Sequence, residues 1–413
     1  MKPSARFILL GTVIALLALS GCTKKPDPSL FDPNWQSMPA PTITSVAPPG
    51  LALGGVTVVT ITGTNFSPAP ANDLVYFGAT PATILTASPT QLTVKAPILV
   101  QDSLFIKVAV QGASAFSNYV LYSLKAAVVE FSNQKAGEDA FGIACDTAGN
   151  VYVSLTTAPP SSSPLGVWKI APDGSRPSQP YSPAKLLSPP VTVTKWSGLK
   201  LGPAGILYAA NSVTALYRIP AGGGGGSIWT TPTVNGLGSV TDFDFDASGN
   251  IWAAGNGTAI YRVTSAGLVK SFPFVANVRS VRVFSGAVYA AGLVDTVEGV
   301  WKFPIFSSDS LSPGQLYFNN TAYYLGSSKP VYAVTFSSDG DMYVGTDGAD
   351  GILIVHPGGA VEPLYPGLLS PTPITFAWGK STELYAARQG TVTSHRIIRI
   401  NTLKQSAPYY GRQ

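Results

Sequence analysis

The chain has 413 residues, of which 45% are apolar and only 11% charged, with 42 Gly and 35 Pro. That composition belongs to a turn-rich, well-buried β protein and excludes a disordered chain. The formal charge of +5 is scattered, so no basic cluster marks a nucleic-acid face. With two His and two Cys, and no HExxH, Cys-cluster or Gly-x-Ser-x-Gly spacing, the parts of a zinc hydrolase or a Ser-His-Asp enzyme are missing.

Lys2 and Arg6 give the N-terminus a positive start, and residues 7–19 form an apolar run too short for a comfortable transmembrane span. Leu19-Ser20-Gly21-Cys22 matches a bacterial lipobox. Residues 1–21 therefore read as a signal peptide, and losing Lys2 and Arg6 leaves about +3 of the +5 on the mature chain. The resemblance to bacterial lipoproteins implies a diacylglycerol thioether on Cys22 and an acyl chain such as palmitate on its amino group. Several acyl chains anchor stably where one is marginal. The partner implied is a membrane, in the cell envelope and on the outer membrane, with surface and periplasmic sides both open. An ordinary secretory signal that happens to contain a Cys is the alternative. If Cys22 carries lipid, Cys145 has no partner for a disulfide and reads as a small buried residue of an apolar strand.

Residues 22–40 form a linker. Pro26, Pro28, Pro33 and Pro39 disfavour helix and favour a semi-rigid tether.

Residues 41–124 carry short strand-like runs separated by turn signals at regular spacing, the pattern of a sandwich. Pro41, Ile43, Ser45, Pro48, Gly50, Gly54-Gly55, the run from Val59 through Gly63 to Phe66, Val75-Tyr76-Phe77-Gly78, Pro97 and Ser117-Asn118 resemble the IPT/TIG family. The resemblance implies an Ig-like β-sandwich, here read as a spacer that lifts the next domain off the membrane.

Residues 127–413 repeat one pattern six times: apolar strand, tight turn, aromatic-centred strand, polar loop, third strand. Tyr152, Tyr208, Trp252, Tyr289, Tyr343 and Tyr385 centre the second strands. A period of about 40–55 residues with four strand-like runs is the signature of a β-propeller blade. The run from Phe141 to Val153, with its Asp146-x-x-Gly149-Asn150 turn, resembles the NHL-repeat and gluconolactonase-like propellers. The fold class expected is all-β, an Ig-like β-sandwich followed by a six-bladed β-propeller. Two segments compete to complete the last sheet, residues 126–131 and residues 406–410.

Asp242, Asp244, Asp246 and Asn250 have the superficial spacing of a calcium loop. Ala247 stands where that loop needs Gly and Ala253 where it needs Glu, so strand plus turn is the better account. The polar residues at the starts of first strands (Asp139, Trp196, Asp242, Arg279) and between second and third strands (Asn211, Asn256, Asp295, Asp347, Arg388) fall at one rim of such a ring. Aromatic faces stack and polar tips orient, which suits a glycan or protein ligand. Ordinary loop solvation is the plain alternative. The resemblance to gluconolactonase-like propellers implies instead a divalent metal on rim carboxylates and an Asn. Glu138, Asp139, Asp242, Asp295, Glu298, Asp347 and Asp350 offer carboxylates, with no residue-by-residue assignment. The sequence thus leans to a binding module without catalytic residues. A metal-dependent lactonase or related hydrolase and a structural envelope component are the alternatives.

Overall fold

The computed structural model describes residues 34, 36–131, 134–187, 190, 192–213, 215–230, 236–307, 309–369, 372–389 and 395–410. The signal-peptide reading, Cys22 and most of the linker lie outside the described residues. Among the described residues no helix is long and apolar enough to cross a membrane.

Strict alternation builds the N-terminal sandwich. In Val58–Thr64, every second residue is buried, as the period of a strand requires. One sheet runs Thr42–Ala47, Val58–Thr64, Gln91–Lys95, Thr83–Ser88; the other runs Leu51–Leu53, Val120–Lys125, Gln101–Val110, Asp73–Phe77, Thr80–Pro81. Their facing sides bury Val59, Ile61, Val75, Phe77, Leu92 and Ile106 completely. Each such side chain contributes about 1.5–3 kcal/mol of transfer free energy. The result is an Ig-like two-sheet domain.

Among the described residues, the strands that follow all pair antiparallel. Glu138–Cys145, Val151–Thr157 and Pro164–Ile170 form a three-stranded sheet. Gly198–Leu201, Leu207–Ala210, Leu216–Ile219 and Ser227–Thr230 form a four-stranded one. Asp242–Phe245 begins an eight-stranded sheet. Within it the sixteen-residue strand Val269–Phe284 pairs first with Asn256–Val263 and then with Ala287–Val294, so one strand serves two neighbouring units. Val331–Phe336 and Pro373–Trp378 begin two further four-stranded sheets. The last of these takes Val128–Glu130 as its outer strand, paired antiparallel with Ile398–Ile400 of the His395–Asn401 strand. Of the two segments proposed for that place, it is therefore the earlier one that pairs.

The first strands of these units touch in sequence: Glu138–Cys145 against Gly198–Leu201, then Asp242–Phe245, Val269–Phe284, Val331–Phe336 and Pro373–Trp378, which touches Glu138–Cys145 again. Close approach is tight. Gly142 donates its N–H to the Trp196 carbonyl at 2.9 Å, and a Cβ at 142 would lie 2.8 Å from that oxygen.

The Asp-x-x-Gly-Asn turns have a concrete structural use. Asp246 Oδ1 accepts from the backbone N–H groups of Ser248 and Asn250, both at 2.9 Å, and Oδ2 accepts from Trp252 Nε1 at 2.9 Å. Gly249 supplies the left-handed backbone at φ +78°. Asp146 repeats the arrangement with Asn150 and the Tyr152 hydroxyl. One carboxylate thus closes the turn and fixes the aromatic ring that anchors the next strand. These oxygens serve the turn, which accounts for the calcium-like spacing.

The C-terminal segment crosses the ends of the first strands. Ser406 bridges Ser337, Ala407 N–H donates to Phe336 O at 3.1 Å, and the Tyr409 hydroxyl donates to Leu201 O at 3.0 Å.

Candidate functional site

Two regions of the first strands carry polar side chains. At their N-terminal ends lies the face formed by the loops entering them and by the loops between second and third strands. Antiparallel pairing puts both kinds of loop on one side, as in Asp242 opposite Ala254 and Pro373 opposite Arg388. Every rim residue named from the sequence falls there, but the structure divides them.

Asn256, Asp295 and Asp347 are exposed. Asp295 sits at a turn with φ +50°, and Asp347 accepts a hydrogen bond from Thr372 Oγ1 at 3.1 Å. Asn211 is half-buried. Its Nδ2 donates to the Tyr217 hydroxyl at 3.2 Å, and its Oδ1 is buried without a partner.

The others are corrected by burial or pairing. Trp196 is 1% exposed and packs edge-to-face on Tyr217 with centroids 4.8 Å apart, so its ring is core and offers no stacking platform. The large apolar area of an indole favours that burial over a wet loop. Asp139 is 3% exposed within its strand. Arg279 forms a two-pronged ion pair with the buried Glu298 at 2.8 and 3.0 Å and lies over the Tyr332 ring. Arg388 donates to Glu130 Oε1 of the outer strand at 2.9 Å. Glu138, another rim carboxylate, is held by Arg176 at 2.8 and 3.0 Å. Among the described residues no three Asp, Glu, His or Cys groups gather as metal ligands would.

Asp242 belongs to a buried charged layer that the sequence reading did not assemble. Lys200 Nζ donates to Asp242 Oδ1 at 2.9 Å, with the two residues 4% and 6% exposed. Ser280 Oγ and Val281 N–H both donate to Asp242 Oδ2 at 3.0 Å. Asp244, also fully inside, accepts from Val283 N–H at 2.9 Å and Phe245 N–H at 3.0 Å. Arg282 donates to the backbone carbonyls of Val281 and Phe376.

Burial works against the charged form of each group. It is outweighed at Asp242 by the Lys200 and Arg282 charges, which hold that carboxyl below its usual range. At Asp244 burial prevails and raises the pKa. At Lys200 burial, then the Arg282 charge, pulls the pKa down against the attraction of both aspartates. The sequence signal for this layer was present. Asp242 and Asp244 alternate with Phe243 and Phe245, and Lys200 and Arg282 alternate with Leu and Val, so all four face away from the inter-sheet core.

Bordering this layer, towards the C-terminal ends of the first strands, lies a small inner cavity of about 50 Å3. All the first strands contribute to it, and Ala407, Pro408 and Tyr409 cover it.

Residues 41–124 match the IPT/TIG domain family. No curated protein matches the chain. Among solved structures, a Bacteroides thetaiotaomicron protein of unknown function aligns at 13% identity and TM-score 0.50, covering 90% of this chain and 100% of its own. An auxiliary nutrient binding protein from the same organism aligns at 12% identity and TM-score 0.50, covering 90% of this chain and 98% of its own. At that identity the likeness is one of fold.

Proposed function

We propose that the chain is a lipid-anchored protein of the cell envelope that binds a glycan or protein ligand. In this reading the Ig-like domain is a spacer and residues 127–413 are a closed six-bladed β-propeller. Counting the eight-stranded sheet as two units gives six blades, and the cyclic contacts of the first strands support closure. The auxiliary nutrient binding protein of similar fold is compatible with a binding role.

One observation carries the reading. Three of the rim carboxylates that could act as acid, base or metal ligand are paired within the fold, Glu138 with Arg176, Glu298 with Arg279, Asp242 with Lys200, and among the described residues the rest do not gather in threes as metal ligands would. The exposed polar side chains, Asn256, Asp295 and Asp347, stand on loops above a rigid sheet. A rigid scaffold with polar loops favours recognition, because little entropy is lost on binding. Catalysis needs a poised group, and a group held in a two-pronged ion pair is not poised.

Screening the full chain on glycan and envelope-protein arrays tests the binding. The lactonase alternative is tested in parallel with lactone substrates and added calcium, zinc or manganese. Turnover that disappears with chelator would overturn the binding reading. For the anchor, Cys22→Ala is expected to move the protein from the membrane fraction to the soluble one; continued sedimentation with membranes would contradict it.

A further inference from the structure

The two outer faces of the Ig-like sandwich are unlike. On the sheet through Val58–Thr64 and Gln91–Lys95 the outward positions include Thr60, Thr62, Gln91, Thr93 and Lys95, an ordinary wetted surface. On the sheet through Asp73–Phe77, Gln101–Val110 and Val120–Lys125 the outward residues Leu74, Phe105 and Leu121 are about half exposed, as are Phe116 and Tyr119 of the loop beside them. Register sets Phe105 opposite Leu121 and Tyr76 opposite Lys107. Ring contacts join Phe105 to Tyr119 at 6.0 Å and Tyr76 to Phe116 at 6.2 Å, so the apolar groups form one patch. Exposed clusters of this kind mark contact surfaces. The cation within it, Lys107, lies over the Phe116 ring at 4.6 Å and the Tyr76 ring at 5.5 Å, and among the described residues it has no ion pair. A groove of about 250 Å3, lined by Gln101, Ser103, Phe105, Lys107 and Tyr119, opens on the same face.

We propose that this sheet face docks on an anionic phospholipid surface, the membrane to which the chain is tethered. The exposed rings and leucines enter the interfacial zone, where aromatic side chains are favoured, and Lys107 meets lipid phosphate at the groove. The place of the tether selects this occupant. Met38 donates its N–H to Gly112 O at 2.8 Å and bridges Ala113, so the chain enters the fold at the loop that runs on to Phe116 and Tyr119. Residues 23–37 join Cys22 to that point and span no more than about 55 Å. A lipid on Cys22 therefore keeps the face near the bilayer at a high local concentration, a step that rests on the lipid-anchor reading. Charge argues against a second copy of the chain. The carboxylates of residues 41–124 are Asp73, 2% exposed, and Asp102, which pairs with Lys125 at 2.5 Å. A second copy of this face would bring Lys107 another lysine and no counter-charge, whereas lipid phosphate supplies one. The ring pairs meet at 76° and 40°, so they share no flat plane for a sugar chain. With the acyl chains as anchor, the face sets how the Ig-like domain lies on the bilayer.

The test uses the mature chain, residues 22–413, carrying Cys22→Ala. The face is then read without acyl chains, and its failure is distinct from failure of the anchor. Binding to vesicles of phosphatidylglycerol or of phosphatidylcholine is measured by flotation. Without acyl chains the contact is weak and reversible, so it is read at millimolar lipid and is lost on the dilution of a cell fractionation. Phosphatidylglycerol vesicles should bind about fivefold more tightly than phosphatidylcholine ones, and Lys107→Gln should remove that preference. Phe105→Ala combined with Tyr119→Ala should weaken binding at least about tenfold. Leu85→Gln, at an equally exposed site on the opposite sheet, should leave it unchanged. Should the double variant fail to fold, Leu121→Gln carries the test and must weaken binding at least about threefold. No binding to phosphatidylglycerol vesicles would overturn the proposal, as would equal binding to both lipids or an equal loss on Leu85→Gln. A glycan-array signal or self-association that depends on Phe105 and Tyr119, in place of vesicle binding, would overturn it too.

Discussion

The rim and the charged layer both draw on Asp and Arg, yet they differ in what surrounds them. In the layer, Asp242 is 6% exposed and has a lysine, a serine and a backbone N–H as partners. At the rim, Asp295 and Asp347 are in water. A buried ion pair is retained only where its geometry is good, and breaking it leaves a charge stranded. An exposed carboxylate can be removed at little cost to the fold and is free to meet a ligand. Residue type alone does not separate structure from recognition; burial and partners do.

The largest break in this comparison should come from the layer. Lys200→Met strands the Asp242 carboxylate and is expected to cost about 3–5 kcal/mol in urea unfolding. Adding Asp242→Leu should restore much of that loss, because the double variant buries no uncompensated charge. A single variant as stable as the parent would contradict a structural role for the pair.

A middle effect is expected at the turns. Asp246→Ala removes the acceptor for two backbone N–H groups and the Trp252 indole. The expected loss is about 2–3 kcal/mol, with Asp246→Asn intermediate. Thermal unfolding of the three proteins checks the order.

A small effect should come from His356, whose Nδ1 lies 2.7 Å from Asp341 and Nε2 3.3 Å from Glu362. The hydrogen bond to Asp341 raises its pKa above the ordinary 6.5. Because the folded value is the higher one, the stabilisation is fully present below about pH 6.5 and is lost as the pH rises through the folded value. The side chain is a third exposed, so solvent screening limits the effect to under about 1 kcal/mol. His356→Gln should therefore lose more stability relative to the parent at pH 5.5 than at pH 8.5. An equal difference at both values would contradict the ion pair.

The β content and the Ig-like segment were legible in the sequence because period-2 alternation is a direct record of one buried face. The same alternation in Val58–Thr64 appears as alternating burial in the structure. The Asp-x-x-Gly-Asn turns were legible for a similar reason, since the carboxylate acts on atoms two to six residues away. The site was less legible. Trp196 read as an aromatic face at the start of a first strand, but its environment comes from Ser154 and Tyr217, which lie far off in sequence. The charged layer is long-range too: Lys200, Asp242 and Ser280 are about forty residues apart, and only the contacts between first strands bring them together. Arg279 and Arg388 read as free polar tips until Glu298 and Glu130 were placed beside them.

In the proposed function the buried charges hold the fold while the exposed rim recognises the ligand. The most direct measurement compares the parent with a variant carrying Asn256→Ala, Asp295→Gly and Asp347→Ala, with Gly chosen at 295 for its left-handed backbone, reading both thermal unfolding and signal on the glycan and protein arrays. Stability is expected to stay within about 0.5 kcal/mol of the parent for each exposed site changed, with loss of the array signal. An unchanged array signal in a folded variant would contradict the proposed function.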